Sequence, residues 1–388
     1  MTGVNLQDMN GMNKFLLLKT IVTQGPISRI ELSKQTGLSK MTVTSLIGEY
    51  ITKGIVRECG ITQASVGRKP VLLEAVDDSL LTIAVYIGRD FLMVGIVDLK
   101  GHIRICEHVS TSKIFSSAAV QSNILRLCDS VITRSDKSKI WGIGISSIGP
   151  IDMHAGLIVD PPDFNGIANV PIVEKLRNSY DWPVYLGNDM AVSALAELYY
   201  GKAASYTSFF YLGISAGIGA GIVLNHKLYT GKRGLAATIG HCIVEPDGLE
   251  CGCGNRGCFE LYSSTRAAVL WAKEHGAPDD LTWLGLLDLA KHQDPTCLAA
   301  LERMYHYIEI VVCNVVSILD VECIVIGGDI WFGEEFFIKR LEKALREKMF
   351  ARKIGSLVVV ELAAFPGDDA FIGTAALVLE NNLDRGIG

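Results

Sequence analysis

The sequence predicts an α/β protein in which a small winged helix-turn-helix head precedes a larger two-lobed body. Three observations carry that prediction. Residues 1–76 hold nine basic and five acidic residues, a balance of +4, whereas the remainder holds 27 basic and 37 acidic residues, a balance of −10. A basic head on an acidic body suits a polyanion partner for the head. The head also carries two capped helical patterns joined by a glycine turn. In the body, Tyr86-Ile87-Gly88 followed by Gly95-Ile96-Val97 returns as Tyr211-Leu212-Gly213 followed by Gly221-Ile222-Val223, which reads as an internal duplication, two lobes of related topology facing a cleft.

In the head, Phe15, Leu18, Ile21 and Val22 recur at helical spacing, and Gln24-Gly25-Pro26 stops that helix. Ser28 stands as an N-cap with Glu31 three residues later, a capping box for a short second helix through Thr36. Gly37 ends it and Ser39 caps a third helix. Met41, Val43, Leu46, Ile47 and Tyr50 form its expected inner face, leaving Lys40, Thr42, Thr44 and Ser45 outside. Helix, glycine turn and second helix is the spacing with which a recognition helix enters a DNA major groove. Gly54–Glu58 and Val71–Glu74 read as the two strands of a wing, with Ser65–Pro70 as its basic tip, where Arg68 and Lys69 reach phosphates or a narrow minor groove. The expected DNA contacts are Ser28, Arg29, Ser39, Lys40, Thr42, Thr44, Ser45, Arg68 and Lys69. The competing reading is a three-helix dimerisation head with a solvated loop. The agreement of cap, turn, wing and charge favours DNA.

A chain of 388 residues buries two or three cores. Its ten cysteines lie mostly singly in apolar runs, as at Cys106, Cys128, Cys313 and Cys323, which suits a reduced, cytoplasmic setting better than a disulfide framework. The N-terminus lacks the basic start and apolar core of a signal peptide. Residues 203–225 are uncharged, but Gly213, Gly217, Gly219 and Gly221 cut the run into two strands and a turn, and no membrane span is expected.

Beyond Val76, Leu81–Tyr86, Leu92–Asp98 and His102–Val109 read as an antiparallel meander. Val120–Arg134 follows as a helix and Ile140–Ile145 as a buried strand. Trp182–Leu186 is a strand that delivers Asn188-Asp189 to the start of a helix through Leu198. A strand end of this kind is where α/β folds place ligand chemistry, and the pair is equally a helix cap. The run Gly213–Gly221 is either a phosphate cradle or a hairpin turn. Ile324–Gly328 is a buried strand opening into a Gly-Gly turn, Phe336–Met349 is the helix behind it, and Gly373–Ala376 opens the last helix.

The segment Gly240–Glu260 is the most specific in the chain. Cys251, Cys253 and Cys258 fall within eight residues, and His241 stands ten residues ahead of the first. Cys-x-Cys places two thiolates on one tight loop, and the intervening glycines let Cys258 fold back to them. Three thiolates and an imidazole make a closed tetrahedral site, read as one structural zinc ion per chain. Buried or redox cysteines are the alternative.

His241 with Cys251-x-Cys253-Gly254-x-x-Gly257-Cys258-x-Glu260 resembles the signature of the ROK family, which groups bacterial repressors with sugar kinases. The head, through Ile27-Ser28-Arg29, Thr36-Gly37-Leu38-Ser39 and Gly67-Arg68-Lys69-Pro70, is similar to that of the repressor branch. The resemblance implies an actin/hexokinase-like (RNase H-like) body and an effector-binding cleft using Asn188, Asp189, His241 and Glu260, with Asp189 in the position of the kinase's catalytic base and Asn165 as a looser match. It also implies double duty for His241, one ring nitrogen on metal and the other toward sugar.

Departures from the family pattern separate kinase from repressor. Tyr86 stands where kinases carry the Asp of Asp-x-Gly, and Ser215-Ala216-Gly217 stands in place of Gly-Thr-Gly. A phenol cannot organise Mg-ATP phosphates as a carboxylate does, so no catalytic residue is assigned. Thr238 replaces a glutamate that commonly holds a sugar hydroxyl, and is retained as an altered effector contact.

The resulting expectation is a sugar-responsive regulator, a repressor of carbohydrate uptake or catabolism genes. It would bind a palindromic double-stranded DNA operator as a homodimer, or as a homotetramer. The head spans residues 1–76. The first lobe spans residues 77–196, with a helix at 371–388 packing back on it. The second lobe spans residues 197–370 and carries the zinc site and a dimerisation surface. The alternatives are an ATP-dependent sugar kinase that kept a DNA-binding head, and a regulator answering to a protein partner.

Overall fold

The computed structural model describes residues 6–61, 70–348 and 357–383. It divides into two compact units, residues 1–200 with 370–388 and residues 201–369.

The first unit begins with the helix Leu6–Gln24, followed by the short helix Arg29–Thr36 and the helix Lys40–Thr52. Ser28 and Glu31 form the expected capping box, and Gly37, with φ of 70°, ends the second helix in the left-handed conformation that glycine adopts at least cost. Strands Val56–Ile61 and Val71–Ala75 pair antiparallel as the wing. A third strand, Ile27–Ser28, adds to Val71–Ala75. Two residues carry too little periodicity to announce a strand, so this one escaped sequence reasoning. The expected inner face of the third helix is corrected at one position. Val43, Leu46, Ile47 and Tyr50 are buried, but Met41 is 84% exposed. Residues two apart on a helix point to opposite sides, and Val43 takes the inner one.

The remainder of the first unit is a five-stranded sheet. In spatial order it runs Ile103–Ser110, Phe91–Asp98, Leu81–Ile87, Ile140–Ser147 and Val184–Asn188. The first three strands are antiparallel and the last two join parallel. Side-chain alternation along Leu81–Ile87 divides the core. Ile83, Val85 and Ile87 meet Ile124 and Val131 of the helix Ser117–Thr133, while Ala84 meets Phe371 and Ala375 of the helix Asp369–Leu383. That last helix starts at Asp369 rather than Gly373. Gly373 instead lies within it, where an added Cβ would stand 2.0 Å from the Val192 carbonyl oxygen, so the small residue serves close packing, not initiation.

The second unit repeats this topology. Its sheet runs Lys227–Leu228, Ile218–Leu224, Phe209–Ile214, Cys323–Gly327 and Val359–Leu362, again with the first-formed strand central, its two successors antiparallel on one side and two parallel strands on the other. Phe210, Leu212, Ile324 and Ile326 pack against Leu301, Met304, Ile308 and Val312 of the helix Pro295–Leu319. Identical strand order in two sheets of one chain is what the repeated Tyr-x-Gly pattern anticipates. The glycine run resolves as a hairpin, Phe209–Ile214 to Ile218–Leu224. Among the described residues no helix is long and apolar enough to cross a membrane.

Candidate functional site

The head presents a polar ridge. Ser39 caps the third helix by accepting the Thr42 N–H at 3.1 Å, and Ser39 Oγ and Thr42 Oγ1 lie 2.9 Å apart. Lys40, Thr44 and Ser45 are exposed beside Met41. Thr44 Oγ1 donates back to the Lys40 carbonyl at 2.8 Å. Arg29 is only half-exposed and its guanidinium meets Glu58 of the wing at 3.0 Å, which ties the second helix to the wing sheet. Ser28 is 3% exposed, and its hydroxyl serves Glu31, so it builds the helix start and is not a surface contact. Arg68 and Lys69 lie outside the described residues. The ridge is held from behind: Tyr50 on the same helix donates its phenol to the Lys14 carbonyl at 2.8 Å, and Lys14 pairs with Glu49 at 2.7 Å.

In the second unit His241, Cys251, Cys253 and Cys258 converge, with one ligand atom of each within 4.8 Å of the others. Nδ1 of His241 is the ring nitrogen on the cluster side, 3.7 Å from Cys251 Sγ, and Cys253 and Cys258 Sγ are 3.6 Å apart. The loop is shaped by its backbone: Cys251 N–H reaches the Asn255 carbonyl and Gly254 N–H returns to Cys251, both at 2.9 Å. Gly257 has φ of 70° and approaches Glu245 so closely that no Cβ fits. Burial first, then the neighbouring Cys251 and Cys253 thiols, pushes the Cys258 thiol up to about 12. The Asn255 backbone N–H, by contrast, holds the Cys253 thiol below its ordinary value. Thiols gathered this way resist joint ionisation until a cation compensates their charge, and the group is a cluster able to hold a metal ion.

The remaining candidates fall in both units. In the first, Asn188 closes a strand and caps the helix Asp189–Tyr199, its Oδ1 accepting the Met190 N–H at 3.2 Å. Asp189 is 9% exposed and also accepts from Met190 N–H, at 2.9 Å. The pair is thus a cap, as its residue types allow, and it sits at the carboxyl end of a sheet strand. Asn165, with φ of 51°, gives its amide protons to the Thr111 and Ile114 carbonyls at 2.9 Å each, which leaves Oδ1 for any further partner.

In the second unit Glu260 begins a short helix directly after the cysteine loop and accepts the Ile218 N–H at 2.7 Å. Thr238 is exposed, and its hydroxyl donates to the Leu235 carbonyl at 2.6 Å. Of the residues that depart from a phosphate-binding pattern, Tyr86 packs its ring on Phe91, with centroids 5.5 Å apart, and Ser215 Oγ accepts the Asp329 N–H at 3.0 Å. That bond closes the Ser215–Gly217 turn onto the Gly327-Gly328 turn.

Comparison with known proteins agrees with this arrangement. The ROK family model matches residues 82–381. The xylose repressor of Caldicellulosiruptor bescii is 30% identical over 390 residues, covering 96% of each chain. A glucokinase of Thermotoga maritima is 27% identical but covers 78% of this chain against 98% of its own. A crystal structure of a ROK family transcriptional regulator, a homolog of the E. coli MLC protein, superposes with a TM-score of 0.80 at 24% identity, covering 97% of both chains. With a duplicated sheet topology, a Cys3His cluster and a family model spanning most of its length, the chain belongs to the ROK family.

Proposed function

We propose that the protein is a sugar-responsive, DNA-binding transcriptional regulator, a repressor of carbohydrate-utilisation genes. The observation that carries this reading is the exposed row Lys40, Met41, Thr44 and Ser45 on a capped, back-braced helix in a basic head. The same head is spanned by a 96% alignment with a xylose repressor and lies ahead of residue 82, where the family model begins. The row supplies hydrogen-bonding groups and one apolar contact for a major groove. Arg68 and Lys69 supply charge for phosphates or the minor groove. The DNA partner is a palindromic operator, and the assembly is a homodimer or homotetramer, since two heads must match two half-sites.

The effector is a sugar or sugar derivative. The residues that the family resemblance offers as its contacts are Asn165, Asn188, Asp189, Thr238, His241 and Glu260. Carboxylates and amides suit paired hydroxyls and reject analogues that lack them. The metal is zinc in a structural role: three thiolates and one imidazole fill a tetrahedral site and leave no position for activated water. His241 would bind it through Nδ1, leaving Nε2 for a sugar hydroxyl.

The kinase alternative has Asp189 and Glu260 in its favour, and Tyr86, Ser215, Ala216 and Thr238 against it. Ser215 Oγ also accepts the Asp329 N–H. The test is a mobility-shift titration of the full chain on a duplex enriched by it from a random pool, with and without D-xylose and D-glucose, beside an ADP-release assay. Saturable duplex binding that a sugar shifts, without ADP release, is the expected result. Sugar-dependent ADP release overturns the reading.

A further inference from the structure

Three links join Asp189 to the DNA-facing helix, all inside the first unit. Asp189 is the first residue of the helix Asp189–Tyr199, and Tyr199 is its last. At that far end the Tyr199 phenol meets Glu380 Oε1 at 3.1 Å, and Lys19 Nζ meets the same oxygen, also at 3.1 Å. Lys19 Nζ also lies 4.8 Å from the centre of the Tyr199 ring and 5.5 Å from that of Phe15. Tyr199 is 1% exposed and the Lys19 side chain 11%, so the ammonium has been largely withdrawn from water, with the Glu380 carboxylate and two aromatic faces among its partners. Lys19 belongs to the helix Leu6–Gln24. Little more than a turn earlier, Lys14 on that helix holds Glu49 and Tyr50 of the helix Lys40–Thr52.

We infer that Lys19 is a coupling residue. It transmits the position of the helix carrying Asn188-Asp189 to the helix that faces DNA. A helix moves as a rigid piece, so a ligand that displaces its N-terminal residues displaces Tyr199 by a similar amount. The Lys19 ammonium follows, because it is held to the Tyr199 ring and, with the Tyr199 phenol, to the same Glu380 oxygen. The inference rests on the proposed function in two respects, that a ligand engages Asp189 and that the helix Lys40–Thr52 faces DNA; the mechanical link itself depends on neither.

Lys19 lies outside the DNA contact set. Lys19→Met keeps the aliphatic stem over both rings and removes the charge, and Glu380→Gln removes it from the other side. Two measurements on the full chain test the link. In the first, Asp189→Ala alters hydrogen exchange across residues 10–24 and 40–52 of the native chain, and the change is absent when Asp189→Ala is placed on Lys19→Met. An equal change on both backgrounds overturns the inference.

In the second, the duplex enriched from a random pool is titrated with D-xylose and D-glucose. Lys19→Met binds the duplex within about threefold of native, but its sugar response falls roughly tenfold. The swapped pair Lys19→Glu with Glu380→Lys restores the response. A full response in Lys19→Met sinks the coupling and leaves the regulator reading standing. Loss of the exchange coupling in Lys19→Met, in a chain whose native form ignores both sugars, sinks the regulator reading and leaves the coupling standing.

Discussion

The Ile218 backbone N–H is donated to Glu260 Oε2 at 2.7 Å, which binds a residue two past Cys258 to the start of the hairpin strand Ile218–Leu224. One carboxylate oxygen is thereby spent on structure. Glu260→Gln preserves the acceptor and should fold normally. Glu260→Ala strands a peptide N–H and should cost about 1–3 kcal/mol. Thermal unfolding with and without D-xylose or D-glucose separates the two roles. If Glu260→Ala melts as native does, the tether contributes nothing.

The cysteine cluster leads to a second expectation. Cys253→Ser should bind less than half the native zinc and unfold several degrees lower, because ligand-site binding energy is folding energy. Elemental analysis beside calorimetry checks it, and dialysis of the native chain against a chelator should reproduce the lower transition. Stoichiometric zinc in the variant would falsify the assignment of Cys253 as a ligand.

Met41 is the most exposed apolar residue of the third helix among the described residues, ahead of Ile51. An exposed side chain contributes little to the fold, so Met41→Ala should change stability by no more than about 0.5 kcal/mol. An apolar group beside Lys40 and Thr44 suits a thymine methyl, so the same variant should weaken duplex binding by roughly tenfold. Unfolding and mobility-shift titrations measure the two effects independently. A variant that loses stability but not affinity would return Met41 to a packing role.

The capping box makes the head sensitive to acid. The Ser28 hydroxyl, then the Ser28 backbone N–H, holds the Glu31 carboxyl below its ordinary value. A depressed folded-state value means the contribution is complete above the unfolded value near 4.5 and disappears as pH falls through the lower folded one. Ser28→Ala should cost about 1 kcal/mol at neutral pH. It should also make the acid limb of the stability profile shallower, because the hydroxyl's share of the depression is lost while the residue 28 backbone N–H still bonds the carboxylate. Denaturant midpoints between pH 3 and pH 7 supply the comparison, and an unchanged acid limb would mean that Glu31 gains nothing from Ser28.

The parts legible in the sequence were those with short-range signatures. Ser28 and Glu31, Ser39, Gly37 and the Cys251–Cys258 loop all act over fewer than ten residues, and the structure forms each locally. The repeated Tyr86 and Tyr211 segments pointed to two like sheets, and strand order makes them so. What escaped were pairings distant in sequence. Nothing near Arg29 points to Glu58, nothing near Lys19 points to Glu380, and a hydroxyl at Ser215 gives no sign that Asp329 N–H will occupy it. Met41 is apolar yet faces outward, because its spacing of two from the buried Val43 sets it on the opposite side of the helix.

The order in which the chain emerges during synthesis gives the helix Asp369–Leu383 a further significance. It belongs to the unit that begins the chain, where Phe371 and Ala375 cover Ala84, Met93 and Val97, and Glu380 satisfies Lys19. Some 170 residues of the other unit are made in between. Until they have been translated, the first sheet stands with one apolar face bare and the head lacks its anchor, a state that invites chaperones and proteases. Polypeptides stopped short of residue 369 would lack both this apolar cover and the Glu380 carboxylate that meets Lys19.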